Sequence, residues 1–163
     1  MFYPLVNREK KFVVFWNAKA GCTAVKRWYL NTIGLDYKSL NPHKYLVSHP
    51  RYGGSPLFYA TRQQLDDEYK NYFKFIVCRN PWARLVSYYN SEHFSFRDLV
   101  NFVDKTPDVF LEQHLRSQTS DLGGIRFDAI VKLERFEDEM NKVCDWLGVQ
   151  ERNFENTNKN LVT

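Results

Sequence analysis

The chain has 163 residues, of which 44% are hydrophobic and 26% charged, with a formal net charge of +4 at pH 7. That suits one water-soluble globular domain, 1–163, large enough for a proper core, and no apolar run is long enough to span a membrane as a helix. Lys and Arg are scattered without a basic tract, which speaks against a general nucleic-acid binder, while the positive balance suits an anionic ligand.

Aromatic residues are abundant, with thirteen Phe and ten Tyr, so a stiff core is expected. Cys22, Cys78 and Cys144 show no metal-ligand spacing and cannot all pair, and no Asn-x-Ser/Thr acceptor site occurs. Together these features describe a protein soluble in a reducing compartment such as the cytoplasm, with no membrane span of its own.

In chain order, the apolar run Phe12–Trp16 predicts a core strand, and Thr23–Ile33 an amphipathic helix closed by Gly34. Leu40 to Pro56, rich in Pro, Gly, Ser and His, predicts a long functional loop. Arg62–Tyr72 follows as a polar helix and Phe73–Cys78 as a second strand. Asn80 is a good N-cap and Pro81 a good first helical residue for a helix reaching Tyr89. Helices are predicted over Phe96–Val103 and Val109–Ser117, a third strand over Phe127–Leu133, and a last helix over Phe136–Leu147 ending at Gly148. Strands alternating with helices predict an α/β domain with a mainly parallel sheet, whose ligands sit at the carboxyl ends of the strands. Lys19 and Arg79 both fall there.

The stretch from Phe12 to Thr23 reads as strand, small-residue turn and helix start, with a lysine in the turn. Backbone N–H groups and the helix dipole at such a place favour phosphate or sulfate, and Lys19 adds a full charge. The Gly-Lys-[Ser/Thr] ending of an ATP or GTP loop is missing, as is a clear hydroxyl–carboxylate pair for Mg²⁺. This is the pattern of a site that holds an anionic donor without a metal. A second cluster, Arg79 to Tyr89, leaves the next strand; Arg79 and Ser87 together can grip a phosphate by charge, bidentate geometry and a hydroxyl. Two clusters suggest a ligand with two separate anionic groups. Without a ligand, Lys19 would be an exposed loop lysine and Arg84 with Ser87 a solvated helix face. Cys22 and Cys78, and the trio Trp82, Tyr88 and Tyr89, are expected to belong to the core.

These two segments resemble the 5′-phosphosulfate loop and 3′-phosphate motif of the PAPS-dependent sulfotransferases, above all the carbohydrate, chondroitin-type branch (sulfotransferase family 2). The family's first motif, Pro-Lys-x-x-Cys-Thr-x-x-Lys-Arg, is matched by Ala18-Lys19-Ala20-Gly21-Cys22-Thr23-Ala24-Val25-Lys26-Arg27. Its second, Lys-Phe-x-x-x-Arg-x-Pro-x-x-Arg-Leu-Val-Ser-x-Tyr, is matched from Lys74 to Tyr89. His114, the Phe127–Glu134 segment and Asn158-Lys159 add to the likeness, which covers most of the chain. Ala18 stands where the family has proline, and Asn80 where it has an acidic residue.

The resemblance implies a P-loop-NTPase-like three-layer sandwich that transfers a sulfuryl group from PAPS (3′-phosphoadenosine 5′-phosphosulfate) to a hydroxyl of a small-molecule or glycan acceptor, leaving PAP. Lys19 and the N–H groups of Ala20, Gly21, Cys22 and Thr23 would neutralise charge on the leaving phosphate. Arg79 and Ser87 would hold the 3′-phosphate. A general base near neutral pH is most often histidine. His49, in the irregular loop, matches a family histidine at a similar distance before the second strand and is the favoured base; His43 is its rival, and His114 is placed on the acceptor side or in a structural role. Glu134 would orient a basic residue of the site or end a strand. Two other readings remain open: a non-catalytic PAP-binding module, and a small nucleotide kinase-like phosphotransferase, which the missing Gly-Lys-[Ser/Thr] argues against.

Overall fold

The computed structural model describes residues 4–35, 42–47, 60–92, 95–120, 122–152 and 154. Strand β2 (Phe12–Trp16) lies in the middle of a four-stranded sheet because nearly every one of its residues is buried, leaving no solvated face. It pairs in parallel with β3 (Phe73–Cys78), which pairs in parallel with β4 (Ala129–Lys132). A short edge strand, β1 (Leu5–Asn7), runs antiparallel to β2, giving the order β1-β2-β3-β4. A three-residue apolar strand carries too little periodicity to be read from sequence, and none is predicted there.

Successive strand residues point to opposite faces, and each face has its own core. On one side Phe12, Val14, Phe75, Val77 and Val131 pack with α1 (Cys22–Thr32), α2 (Pro42–Val47) and α6 (Phe136–Leu147). On the other, Val13, Phe15 and Ile76 pack with Leu65 of α3 (Arg62–Asp66), Tyr69 and Leu122. Helices on both faces of a mainly parallel sheet make the three-layer α/β sandwich expected. Aromatic rings stiffen the first core: Phe12 lies 5.4 Å from Trp28 and 6.1 Å from Phe75, centroid to centroid. The polar tips of the buried rings are satisfied, since Tyr29 donates to the Val6 carbonyl at 2.6 Å and Trp28 to that of Glu151 at 3.2 Å.

Helix α4 (Pro81–Tyr89) starts where the sequence places it, with the Asn80 side chain accepting from the N–H groups of Trp82 and Ala83. α5 (Phe96–Lys105) runs two residues past its predicted end. Four expectations need correction. The polar helix predicted over Arg62–Tyr72 stops at Asp66, because carboxylates at Asp66, Asp67 and Glu68 oppose the dipole of a helix C-terminus and Tyr69 turns inward, fully buried. The helix predicted over Val109–Ser117 is a single 3₁₀ turn (Asp108–Phe110). Its backbone groups are claimed by side chains: Asp108 accepts from the Ser117 N–H and the Ser120 hydroxyl, and Arg116 donates to the carbonyls of Val109 and Leu111. Within the loop predicted over Leu40 to Pro56, Pro42–Val47 is helical, with proline at the first position and Leu46 buried in the core. The third strand is trimmed to Ala129–Lys132, as a 3₁₀ turn takes Leu133–Arg135.

Among the glycines with left-handed backbone, Gly21 precedes α1 at φ 73° and Gly148 ends α6 at φ 62°. A Cβ at Gly21 would lie 2.5 Å from Leu133 Cδ1, whereas one at Gly148 would meet nothing within 4 Å. Gly148→Ala should therefore cost only the left-handed conformation, about 1–2 kcal/mol. Gly21→Ala should cost that plus an overpacking penalty of about 1–3 kcal/mol. Urea denaturation of both variants checks the order; a Gly148→Ala protein less stable than Gly21→Ala would contradict it.

Candidate active site

The register of β2 on β3, with Trp16 opposite Val77, brings the carboxyl ends of the two strands side by side. Asn17 ties them, donating from Nδ2 to the Val77 carbonyl at 3.3 Å. Beyond Asn17 the chain makes a tight turn closed by Ala20 N–H on the Asn17 carbonyl, with Lys19 (φ 61°) and Gly21 (φ 73°) both left-handed. Such turns aim successive N–H groups into a concavity suited to anions. No side chain caps α1 at Gly21, and the first N–H groups of a helix have no partner within it. The Leu133 side chain fills the space behind Gly21, so the absence of a Cβ is a packing requirement as well as a backbone one.

A turn that offers its N–H groups outward needs its carbonyls held from behind, and two arginines do this. Arg84, only 6% exposed, donates from Nε to the Ala18 carbonyl at 2.8 Å and from its terminal nitrogens to the carbonyls of Arg116 and Gln113. Arg79 donates from Nη1 to the Lys19 carbonyl at 3.1 Å. Burial lowers both groups from the usual arginine value, opposed by Glu134 for Arg79 and by Asp108 and Glu112 for Arg84. A guanidinium carries five N–H donors, so one bond to Lys19 commits only part of Arg79. Its backbone is fixed on both sides by Gln118, which accepts from the Arg79 N–H at 2.9 Å and donates to its carbonyl at 2.8 Å. Glu134 accepts from the Asn80 N–H at 2.7 Å and so orders the start of α4, while its charge favours the Arg79 cation.

Arg84, Ser87 and Tyr88 follow at helical spacing along α4, and Ser91 lies just past its end. Arg84 grips the turn's backbone, and Ser91 accepts from Lys19 Nζ at 2.7 Å. The Tyr88 ring centroid is 6.0 Å from that ammonium. Ser87 is half-buried. The structure thus brings Lys19, the Ala20–Thr23 turn and Arg79 together at the carboxyl ends of β2 and β3, with Ser87 three residues beyond Arg84 on α4. One expectation nearby needs correction, since Trp82 is 73% exposed rather than core, while Arg84 is buried and not the solvated face it would form without a role here. Cys22 and Cys78 are half-buried at the same strand ends.

His43, the rival base of the sequence analysis, lies beside the start of α1. From the first turn of α2 its Nε2 lies 2.8 Å from Thr23 Oγ1 and its Nδ1 3.2 Å from Lys26 Nζ. Burial, followed by the positive charges of Lys26, Arg27 and His114, lowers the ring from 6.5 to about 4, so it is neutral at pH 7. Lys26 is itself only 1% exposed, with Nζ 3.6 Å above the Trp16 ring, and burial lowers it to about 8. His114 stacks on Tyr88 at 6.1 Å, with Nδ1 2.8 Å from Glu112 Oε2. The favoured base, His49, lies outside the described residues. Ser91 and Gln118 have no signal in the sequence, since each acts through a contact made only in the folded chain.

A family model described as the sulfotransferase family matches residues 5–163 of this chain, which include every residue of the turn and of α4. The chain belongs to the sulfotransferase family. No curated protein and no solved structure matches it. The general chemistry of a sulfotransferase is to move a sulfuryl group from a donor to an acceptor. No helix among the described residues of this sulfotransferase is long and apolar enough to cross a membrane.

The lowered His43 value has a consequence for stability. The unfolded chain takes up this proton as pH falls below 6.5, but the fold resists it until about 4. The contribution of neutral His43 is therefore complete above 6.5 and is withdrawn progressively down to about 4. Compared with the non-titrating His43→Gln variant, the wild type should lose stability more steeply in that window, as read by urea denaturation across it. A difference that stays constant with pH would mean that His43 titrates like an exposed histidine.

Proposed function

We propose that this sulfotransferase transfers the sulfuryl group of PAPS to a hydroxyl of a saccharide acceptor, releasing PAP, without a metal. The observation that carries the reading is the juxtaposition of two cationic groups, Lys19 and Arg79, at adjacent strand ends, with an uncapped helix N-terminus between them. A donor with a phosphosulfate at one end and a separate phosphate at the other fits this pair, and a single-phosphate nucleotide uses only half of it. PAPS supplies an electrophilic sulfur attached to a phosphate leaving group.

In the proposed reaction the acceptor oxygen forms a bond to sulfur as the bond from sulfur to the bridging oxygen breaks. The electron pair leaves with the phosphate of PAP. The Lys19 ammonium and the N–H groups of Gly21, Cys22 and Thr23 stabilise that developing charge, whereas the Ala20 N–H is already engaged by the Asn17 carbonyl. The Lys19 bond to Ser91 is an exposed one, and such bonds contribute only about 1 kcal/mol, so the ammonium is not locked away from the turn. Arg79, with donors remaining after its bond to Lys19, and Ser87 hold the 3′-phosphate. His49 takes the proton of the acceptor hydroxyl. The motif likeness to the carbohydrate branch supports a saccharide acceptor.

Calorimetry tests the donor first: PAP should bind far more tightly than AMP in the absence of Mg²⁺, and equal affinities would remove the two-site reading. Arg79→Ala should weaken PAP binding by about 1.5–3 kcal/mol. Lys19→Ala should abolish most sulfate transfer while weakening PAP binding only modestly, because PAP lacks the bridge where charge builds. His49→Ala should lower kcat about 10²-fold with PAP binding intact. Tight PAP binding with no transfer to any saccharide would make the protein a PAP-binding module instead.

A further inference from the structure

Sequence reading leaves His43 as a rival general base. We propose instead that His43 is a positioning residue that aims the Thr23 hydroxyl, through a chain of hydrogen bonds running from Lys26 to His43 to Thr23. Each link has a direction fixed by chemistry. A protonated lysine has donors and no acceptor, so His43 Nδ1, 3.2 Å from Lys26 Nζ, must accept. A neutral imidazole whose Nδ1 accepts carries its hydrogen on Nε2. That nitrogen lies 2.8 Å from Thr23 Oγ1, so the threonine oxygen accepts from His43. The hydroxyl hydrogen is then left for another acceptor. Thr23 is the second residue of α1, directly after the Lys19 turn, and on the function proposed above an anion at that turn is the acceptor it meets.

The same directions exclude His43 from proton removal. Its Nδ1 lone pair is engaged by Lys26 and its Nε2 already carries a hydrogen, so no basic lone pair faces an acceptor hydroxyl. Lys26 is fixed where it can donate, buried in the first turns of α1 with its charge resting 3.6 Å above the Trp16 ring. Pro42 starts α2 one residue before His43, and the buried Leu46 anchors that helix in the core, so the ring is presented from a short but fixed element.

The closing experiment has one readout that needs no ligand and one that does. Nitrogen-15 NMR of the full chain at pH 7 should show His43 as the Nε2–H tautomer; an Nδ1–H tautomer would overturn the proposal. PAP binding and donor kinetics are then measured for Thr23→Val, His43→Ala, His43→Gln and the Thr23→Val, His43→Ala double variant. Each single removal should weaken PAP binding and raise the donor KM by about tenfold, the low end for a hydrogen bond to a charged group. The double variant should be little worse than either single one, because both break the same chain. His43→Gln, whose amide nitrogen can replace Nε2–H, should restore binding to within about twofold of the wild type. Losses that multiply in the double variant, or an effect confined to kcat that glutamine does not rescue, would overturn the positioning role and return His43 to the bases. If the wild type binds no PAP, the function proposed above fails, and the tautomer still decides the hydrogen-bond chain.

Discussion

The turn between β2 and α1 has to satisfy two opposed demands, and much of the surrounding structure follows from them. Beyond Ala20, whose N–H closes the turn on the Asn17 carbonyl, its N–H groups must face outward without internal partners if they are to meet an anion. Its carbonyls cannot be left bare in a half-buried setting, where an unpaired polar group is costly. The resolution is to hold the carbonyls from behind with guanidinium groups, Arg84 on Ala18 and Arg79 on Lys19. That choice places two cations beside the turn, so the groups that complete its hydrogen bonds also add to its positive field.

This arrangement constrains elements well beyond the turn. Arg84 can reach Ala18 only because α4 begins directly after β3, and the Asn80 cap together with Glu134 fixes where that helix starts. The remaining donors of Arg84 take the carbonyls of Gln113 and Arg116, which ties the irregular stretch after α5 to the back of the site. The sheet register does the rest, since a one-residue slip between β2 and β3 would send their residues to the opposite core and move Arg79 away from Lys19.

The buried Lys26 carries a comparable tension. Desolvation works against its charge, and among the described residues the fold compensates with the face of Trp16 and the His43 nitrogen rather than with a carboxylate. A carboxylate there would have cancelled the positive potential at the start of α1. An aromatic face and a neutral ring stabilise the cation while leaving its field in place.

The sequence by itself determined the elements whose signals are local: β2 and β3 from continuous apolar runs, α4 from Asn80 and Pro81, α6 from its periodicity and Gly148. It also determined the family, since the two motifs are contiguous and need no knowledge of what lies beside them. It missed β1, too short for any period, and misread the segment after Pro107, where Asp108 and Arg116 take backbone groups a helix would need. Only the tertiary structure decided that Arg84 is buried, that Ser91 meets Lys19, and that His43 sits between Lys26 and Thr23. Each of those contacts joins residues 17 or more positions apart, brought together by parallel strand pairing and helix packing, whose geometry leaves no local trace in the chain.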